Sequence, residues 1–219
     1  MPHLPVYPSY SRPLLVCLIA LGLSACSALQ SKPPQTGALP SNDLPLPTAL
    51  KNKAIKLNSD DSEYKEALAA CALEQAVQPR GKGGMSQALV VKLTDEISIW
   101  RLWSPGPNKA ERMGHWWAYD QPRGTVDNYR KNYEICHNWN DLTRVTKCML
   151  PKGSVIAIGP GQSVDAKTCN KNGEQYPANP SVWQTYVWLN PPLMRCLNDY
   201  QPDPSDIAHP LEARKGSKL

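Results

Sequence analysis

Apolar positions along the chain follow three different rhythms. Near the N-terminus Leu14 to Leu23 are apolar without interruption. Ten residues are too few to cross a bilayer as a helix, which takes roughly 20. They suit the apolar segment of a secretory leader, with Arg12 as its positive flank, and residues 1–25 are read as that leader. From Ser27 to about Asn58 apolar residues are scattered among prolines at 33, 34, 40, 45 and 47, with no sustained period. Such a segment is extended and packs poorly, so residues 26–58 read as a tether.

Periodicity begins at Ser59 and marks a globular domain over residues 59–200. Tyr64, Ala67, Leu68, Cys71, Ala72 and Gln75 recur at helical spacing, after Asp60 as N-cap and Glu63 three residues on, and the helix is expected to stop near Gln78-Pro79. The Arg80 to Gly84 run lacks the Gly-Lys-Ser/Thr ending of a phosphate loop and reads as a flexible connection. Ala88–Leu93 and Ile97–Trp103 predict two strands, paired as a hairpin through Thr94-Asp95-Glu96. In the second, Ile97 and Ile99 alternate with Trp100 and Leu102. Thr125 is a good N-cap for a helix to about Cys136, with Val126, Tyr129, Tyr133 and Cys136 on one stripe and Arg130 paired to Glu134 on another face. Further strands are expected at Ser154–Ile158 and Gln184–Leu189. Helices and short strands mix without a βαβ rhythm, which predicts an α+β fold: a small antiparallel sheet with two or more helices, braced by disulfides, on a Pro-rich tether. Residues 201–219 are polar, charged and broken by prolines, and read as a disordered tail.

Cysteine usage sharpens this. The leader ends Leu23-Ser24-Ala25-Cys26, which resembles the lipobox of bacterial lipoproteins. That resemblance implies diacylglycerol on the Cys26 sulfur, cleavage before it, and acylation of the new amino group, an anchor of two or three chains that holds firmly where one would not. Ser27, rather than aspartate, next to it implies sorting to the outer membrane and a lipid-anchored periplasmic location. A plain cleaved leader with a chance cysteine, or an uncleaved anchor, is the alternative reading. Removing residues 1–25 from 219 leaves 194, with Arg12 the one charge lost, so the net charge goes from +5 to +4. A balance this mild and dispersed excludes a nucleic-acid partner, which needs a dense basic stripe. In an oxidising compartment Cys71, Cys136, Cys148, Cys169 and Cys196 are free to pair. Two bridges can be drawn among five cysteines in about fifteen ways. Cys136–Cys148 and Cys169–Cys196 are the expected pairs because each closes a modest loop, and Cys71, at a helical core position, is left as a free buried thiol.

Candidate chemistry is sparse. His115, His137, Glu134, Asp120 and Cys71 are the residues an enzyme would draw on, but no Gly-x-Ser-x-Gly, His-Glu-x-x-His or Cys-x-x-Cys frames them. Cys136 and His137 are neighbours and diverge by about 100° in a helix, a poor start for one metal ion. His137 is expected instead to complement a helix C-terminus. No cofactor, metal site or catalytic residue is therefore assigned. Gly159-Pro160-Gly161-Gln162-Ser163 is either a backbone anion nest or, more plainly, a tight turn. Seven tryptophans and no phenylalanine supply either a core or interface anchors, and Trp116 and Trp117 cannot both point inward from one extended segment.

Gly114-x-Trp116-Trp117, Pro122-x-Gly124, Tyr129-Arg130, Ile135-Cys136-x-x-Trp139, Cys148, Gly153, Gly159-x-Gly161-Gln162-Ser163 and Tyr176-Pro177 together resemble small bacterial immunity lipoproteins encoded beside type VI secretion lipase effectors, particularly phospholipase D-like ones. The likeness spans about residues 60–195. It implies a non-enzymatic inhibitor, held at the membrane by its N-terminal lipid, whose partner is a secreted lipase effector. Trp116, Trp117 and Arg123 are the residues expected to bind that partner. An envelope structural or assembly lipoprotein that binds a partner of its own cell is the alternative.

Overall fold

The computed structural model describes residues 43–70, 72–107, 109–170, 173–188 and 194–211. Cys26, the stretch read as a leader, most of that read as a tether and Cys71 lie outside them. The fold is α+β with antiparallel sheets. A five-stranded sheet has the order β1 (Ala54–Lys56), β2 (Leu89–Leu93), β6 (Val155–Pro160), β7 (Trp183–Tyr186), β4 (Trp116–Trp117). A three-stranded sheet has the order β3 (Ile97–Trp103), β5 (Arg144–Leu150), β8 (Arg195–Cys196). Among the described residues the strands of both sheets pair antiparallel. The two sheets are linked where Trp100 and Ala118 exchange backbone hydrogen bonds of 2.8 Å in both directions.

The period-2 alternation of side chains sorts the core into layers. Leu89, Val91 and Leu93 of β2, Ile156 and Ile158 of β6, Ile97 and Ile99 of β3, and Cys148 and Leu150 of β5 fill the space between the sheets. Val90, Val155 and Ala157 point to the opposite face of the larger sheet, where α1 (Ser62–Ala69) and α2 (Ala72–Ala76) cover them with Tyr64, Ala67, Leu73 and Ala76. Leu102 and Val145 point to the outer face of the smaller sheet and meet Tyr129 of α3 (Val126–Asn132), Leu142 and Ile207. Each fully buried leucine or isoleucine contributes about 1.5–3 kcal/mol, so these three clusters hold the layers together.

Several expectations are corrected. Strands β2 and β3 are as the sequence predicts but do not form a hairpin: β2 pairs with β1 and β6, and Thr94–Glu96 carries the chain across to the other sheet. Both strands present an apolar face to the same core, which a sandwich satisfies and a lone hairpin does not. The first helix is broken after Ala69, and its N-cap is Asp61, whose carboxylate accepts from the Asn58 amide at 2.6 Å. Strand β1, with the buried Leu50, Ala54 and Leu57, extends the domain into the stretch assigned to the tether. Arg80 to Gly84 is tied down: Gly81 and Gly83 donate to the side chain and carbonyl of Ser163, and all three glycines have positive φ. The tail assigned as disordered begins with an ordered hairpin, β9 (Pro202–Asp203) and β10 (Asp206–Pro210), which buries Ile207 completely.

The expected pairs Cys136–Cys148 and Cys169–Cys196 are not the ones formed. Cys136 pairs with Cys169, at the end of α4 (Ala166–Cys169), and Cys148 with Cys196. Cys148 and Cys196 are direct partners in the β5·β8 register, so strand pairing rather than loop length selects them. The loops closed span 33 and 48 residues. Loops of that size confer on the order of 4 kcal/mol each in the chain-entropy account.

Candidate functional site

The side chains that converge do so at the end of α3. Thr125 caps it as expected, its hydroxyl accepting from the Asn128 amide at 3.1 Å. The helix stops at Asn132, four residues short of Cys136, because Glu134 adopts a left-handed φ of 48°. Glu134 therefore does not sit one turn above Arg130 and does not pair with it. Arg130 donates instead to the Ile135 carbonyl at 3.0 Å. The Glu134 side chain turns inward, 1% exposed. There it accepts from the Asn179 amide (2.9 Å) and the Gln184 side chain (3.0 Å). Burial favours the neutral carboxyl over the charged one and, against those two bonds, raises its pKa from 4.5 to about 8.

Glu134 forms part of the wall of a cavity of about 220 Å³. Trp116, Trp117, Tyr129, Tyr133 and Trp139 supply its apolar surface, and Asn140 and Gln184 add amides. Arg101 completes it from β3. The Arg101 side chain is 8% exposed; its Nε donates to the Glu111 carbonyl (2.8 Å) and its Nη1 to the Trp116 carbonyl (2.6 Å). Burial lowers its pKa to about 10, which leaves it charged at neutral pH. Glycine at 114 makes room for it, since a Cβ there would lie 2.6 Å from the guanidinium carbon.

Arg101 is not among the residues the sequence singles out, although the strand pattern carries a signal for it. Two residues after Ile99, it occupies the same inward face as Ile97 and Ile99. An arginine in phase with a buried apolar face requires a reason. Asn140 carries no such signal; it is buried, donates to the Leu102 carbonyl at 2.8 Å and accepts from the Leu142 amide at 2.9 Å.

The other candidates are occupied elsewhere. His137 lies beyond α3 rather than at its C-terminus, and its Nδ1 is 2.7 Å from Glu174. Despite the desolvation that favours its neutral form, hydrogen bonds from His137 and Tyr176 hold the Glu174 carboxyl below its usual range. His115 Nδ1 meets the Val187 carbonyl at 2.8 Å, and its ring stacks on Tyr186. Neither histidine bonds to Glu134. Burial pushes the Asp120 carboxyl up. At Gly159–Ser163 the backbone donors are taken by protein: the Gly161, Gln162 and Ser163 amides go to the Val182 carbonyl, the Gly84 carbonyl and the Gln162 side chain. The segment is the end of β6 and the extended stretch that follows it, so both readings are corrected: it is neither an anion nest nor a tight turn. Among the described residues no group of three or more His, Cys, Asp or Glu side chains is placed to hold a metal ion.

Of the three residues expected at a partner interface, Trp117 is corrected to the core: it is 2% exposed and its indole donates to the Gly114 carbonyl at 2.7 Å. Trp116, on the opposite face of the strand, is half-buried and edge-on to Tyr186, and Arg123 is exposed. Comparisons of the chain with protein-family models, with curated proteins and with solved structures return no match.

Proposed function

We propose that the protein is a lipid-anchored periplasmic inhibitor that binds a secreted lipase effector and has no catalysis of its own. The observation that carries this reading is the pair of disulfides: four of the five cysteines left after Cys26 is lipidated are cross-linked in the folded domain. That fits a chain whose leader ends in a lipobox-like sequence and which matures in an oxidising compartment. The immunity-lipoprotein resemblance supplies the partner, and tethering raises the effective concentration of inhibitor at the membrane a lipase attacks. The engagement of His115, His137 and Glu134 in separate hydrogen bonds supports a binding role over an acid–base one. The test is to mix oxidised residues 27–219 with the lipase encoded beside the gene and to measure complex formation and residual phospholipase activity together. A tight complex with activity abolished is expected. A folded, oxidised sample that neither binds nor inhibits overturns the reading and leaves an envelope structural lipoprotein.

A further inference from the structure

The cavity at Arg101 has a chemistry that inhibitor docking does not require. A guanidinium carries five N–H donors. Arg101 gives one to Glu111 and one to Trp116, both backbone carbonyls, and among the described residues no acceptor takes the others. No carboxylate among the described residues lies within ion-pair distance of it, and the Glu111 side chain acts on its charge only from further away. The Trp117 ring lies 6.0 Å from the guanidinium and offers a cation–π contact, but a buried cation with no carboxylate beside it is still costly, and folds keep one mainly where something else completes it. The cavity wall beside it is aromatic on several sides. At about 220 Å³ it is smaller than the roughly 300–1,000 Å³ of sites for drug-sized ligands.

We propose that this cavity binds a small organic carboxylate with a flat apolar body. The carboxylate accepts the spare Arg101 donors in the forked geometry that guanidinium and carboxylate share. The body lies against Trp116, Trp117 and Trp139, with Tyr129 and Tyr133 closing the remaining sides. Glu134 does not oppose the anion, because burial keeps it largely protonated at neutral pH. Asn140 and Gln184 offer amides to any hydroxyl or amine the ligand carries. The proposal stands apart from the inhibitor reading, since it needs no protein partner.

The test uses oxidised residues 27–219 at pH 7, with phenylacetate, its neutral isostere phenylacetamide, and inorganic phosphate as probes. Binding is followed by tryptophan fluorescence and by calorimetry. Phenylacetate is expected to bind saturably, at least tenfold tighter than phenylacetamide, because only the anion meets the guanidinium, and tenfold tighter than phosphate, which lacks the apolar body. Ala110→Leu, which fills the cavity from a wall residue that makes no side-chain hydrogen bond to the ligand, is expected to abolish binding with the thermal midpoint preserved. Arg101→Met is expected to remove the preference for the anion. Should either variant fail to fold, the three-probe comparison on the unmodified protein decides alone. No saturable binding of phenylacetate, or equal binding of phenylacetate and phenylacetamide, or phosphate binding as tightly as phenylacetate, overturns the proposal.

Discussion

Glu134 occupies the space that a side chain at Gly161 would need: a Cβ at 161 would lie 2.6 Å from the carboxylate Oε1, well inside contact distance. Gly161 sits just past β6, and Glu134 just past α3, so the absence of one side chain lets the other lock the end of the helix against the larger sheet. Gly161→Ala is expected to destabilise the domain by about 1–3 kcal/mol, the usual range for overpacking a filled interior. In a Glu134→Ala background the same change is expected to cost measurably less, because the clashing group is gone. Urea unfolding of the four proteins of this cycle reads the coupling; purely additive costs would show that the two residues do not meet.

The pH dependence of stability follows from the same carboxyl. Its pKa is higher folded (about 8) than its ordinary value of 4.5. Between those values the folded state holds more protons than the unfolded one, so this contribution is full below about 4.5 and is lost as pH rises through 8. The carboxyls of Glu174 and Asp199 are held low and act in the opposite sense, in the acid range. Urea midpoints measured at pH 5.5 and 8.5 are therefore expected to fall for the natural chain and to stay nearly level for Glu134→Gln. An equal fall in both would place the effect on another group.

Oxidised protein digested without reduction is expected to yield Cys136–Cys169 and Cys148–Cys196 peptides, identified by mass, and no Cys136–Cys148 peptide. Replacing either pair with alanines is expected to cost about 2–5 kcal/mol, read in the same unfolding assay.

Truncation after Tyr200 tests the hairpin at the C-terminal end. Ile207 is wholly buried against Leu102, Tyr129 and Val145, its amide donates to the Gly124 carbonyl at 2.9 Å, and its carbonyl accepts from the Tyr200 hydroxyl at 2.9 Å. Removing residues 201–219 is expected to cost about 3 kcal/mol, on the scale of deleting a large buried side chain. Restoring residues 201–211 alone is expected to recover the loss, and a truncated protein as stable as the full chain would show the hairpin to be dispensable.

What the chain discloses before folding divides along a physical line. Alternation places Ile97 and Ile99 opposite Trp100 and Leu102, and Thr125 announces a helix start, because both depend on neighbours in sequence. Partner choice depends on neighbours in space. Nothing local to β2 and β3 says that the turn between them crosses from one sheet to another, and nothing near Cys148 names Cys196 until β8 lies beside β5. The end of α3 is concealed for a further reason: no glycine or proline marks it, and a glutamate takes the left-handed position for which glycine would be the usual choice. At the cavity, Arg101 could be found by counting residues from Ile97. The inward turn of Glu134 could not.

The two bridges also interleave, since Cys148 falls inside the loop closed by Cys136 and Cys169, and Cys169 inside the loop closed by Cys148 and Cys196. A single backbone cut anywhere from residue 137 to 195 consequently leaves both fragments covalently joined. Surface proteases can nick this stretch once without releasing a piece from the rest of the chain, and the nicked molecule stays one covalent unit.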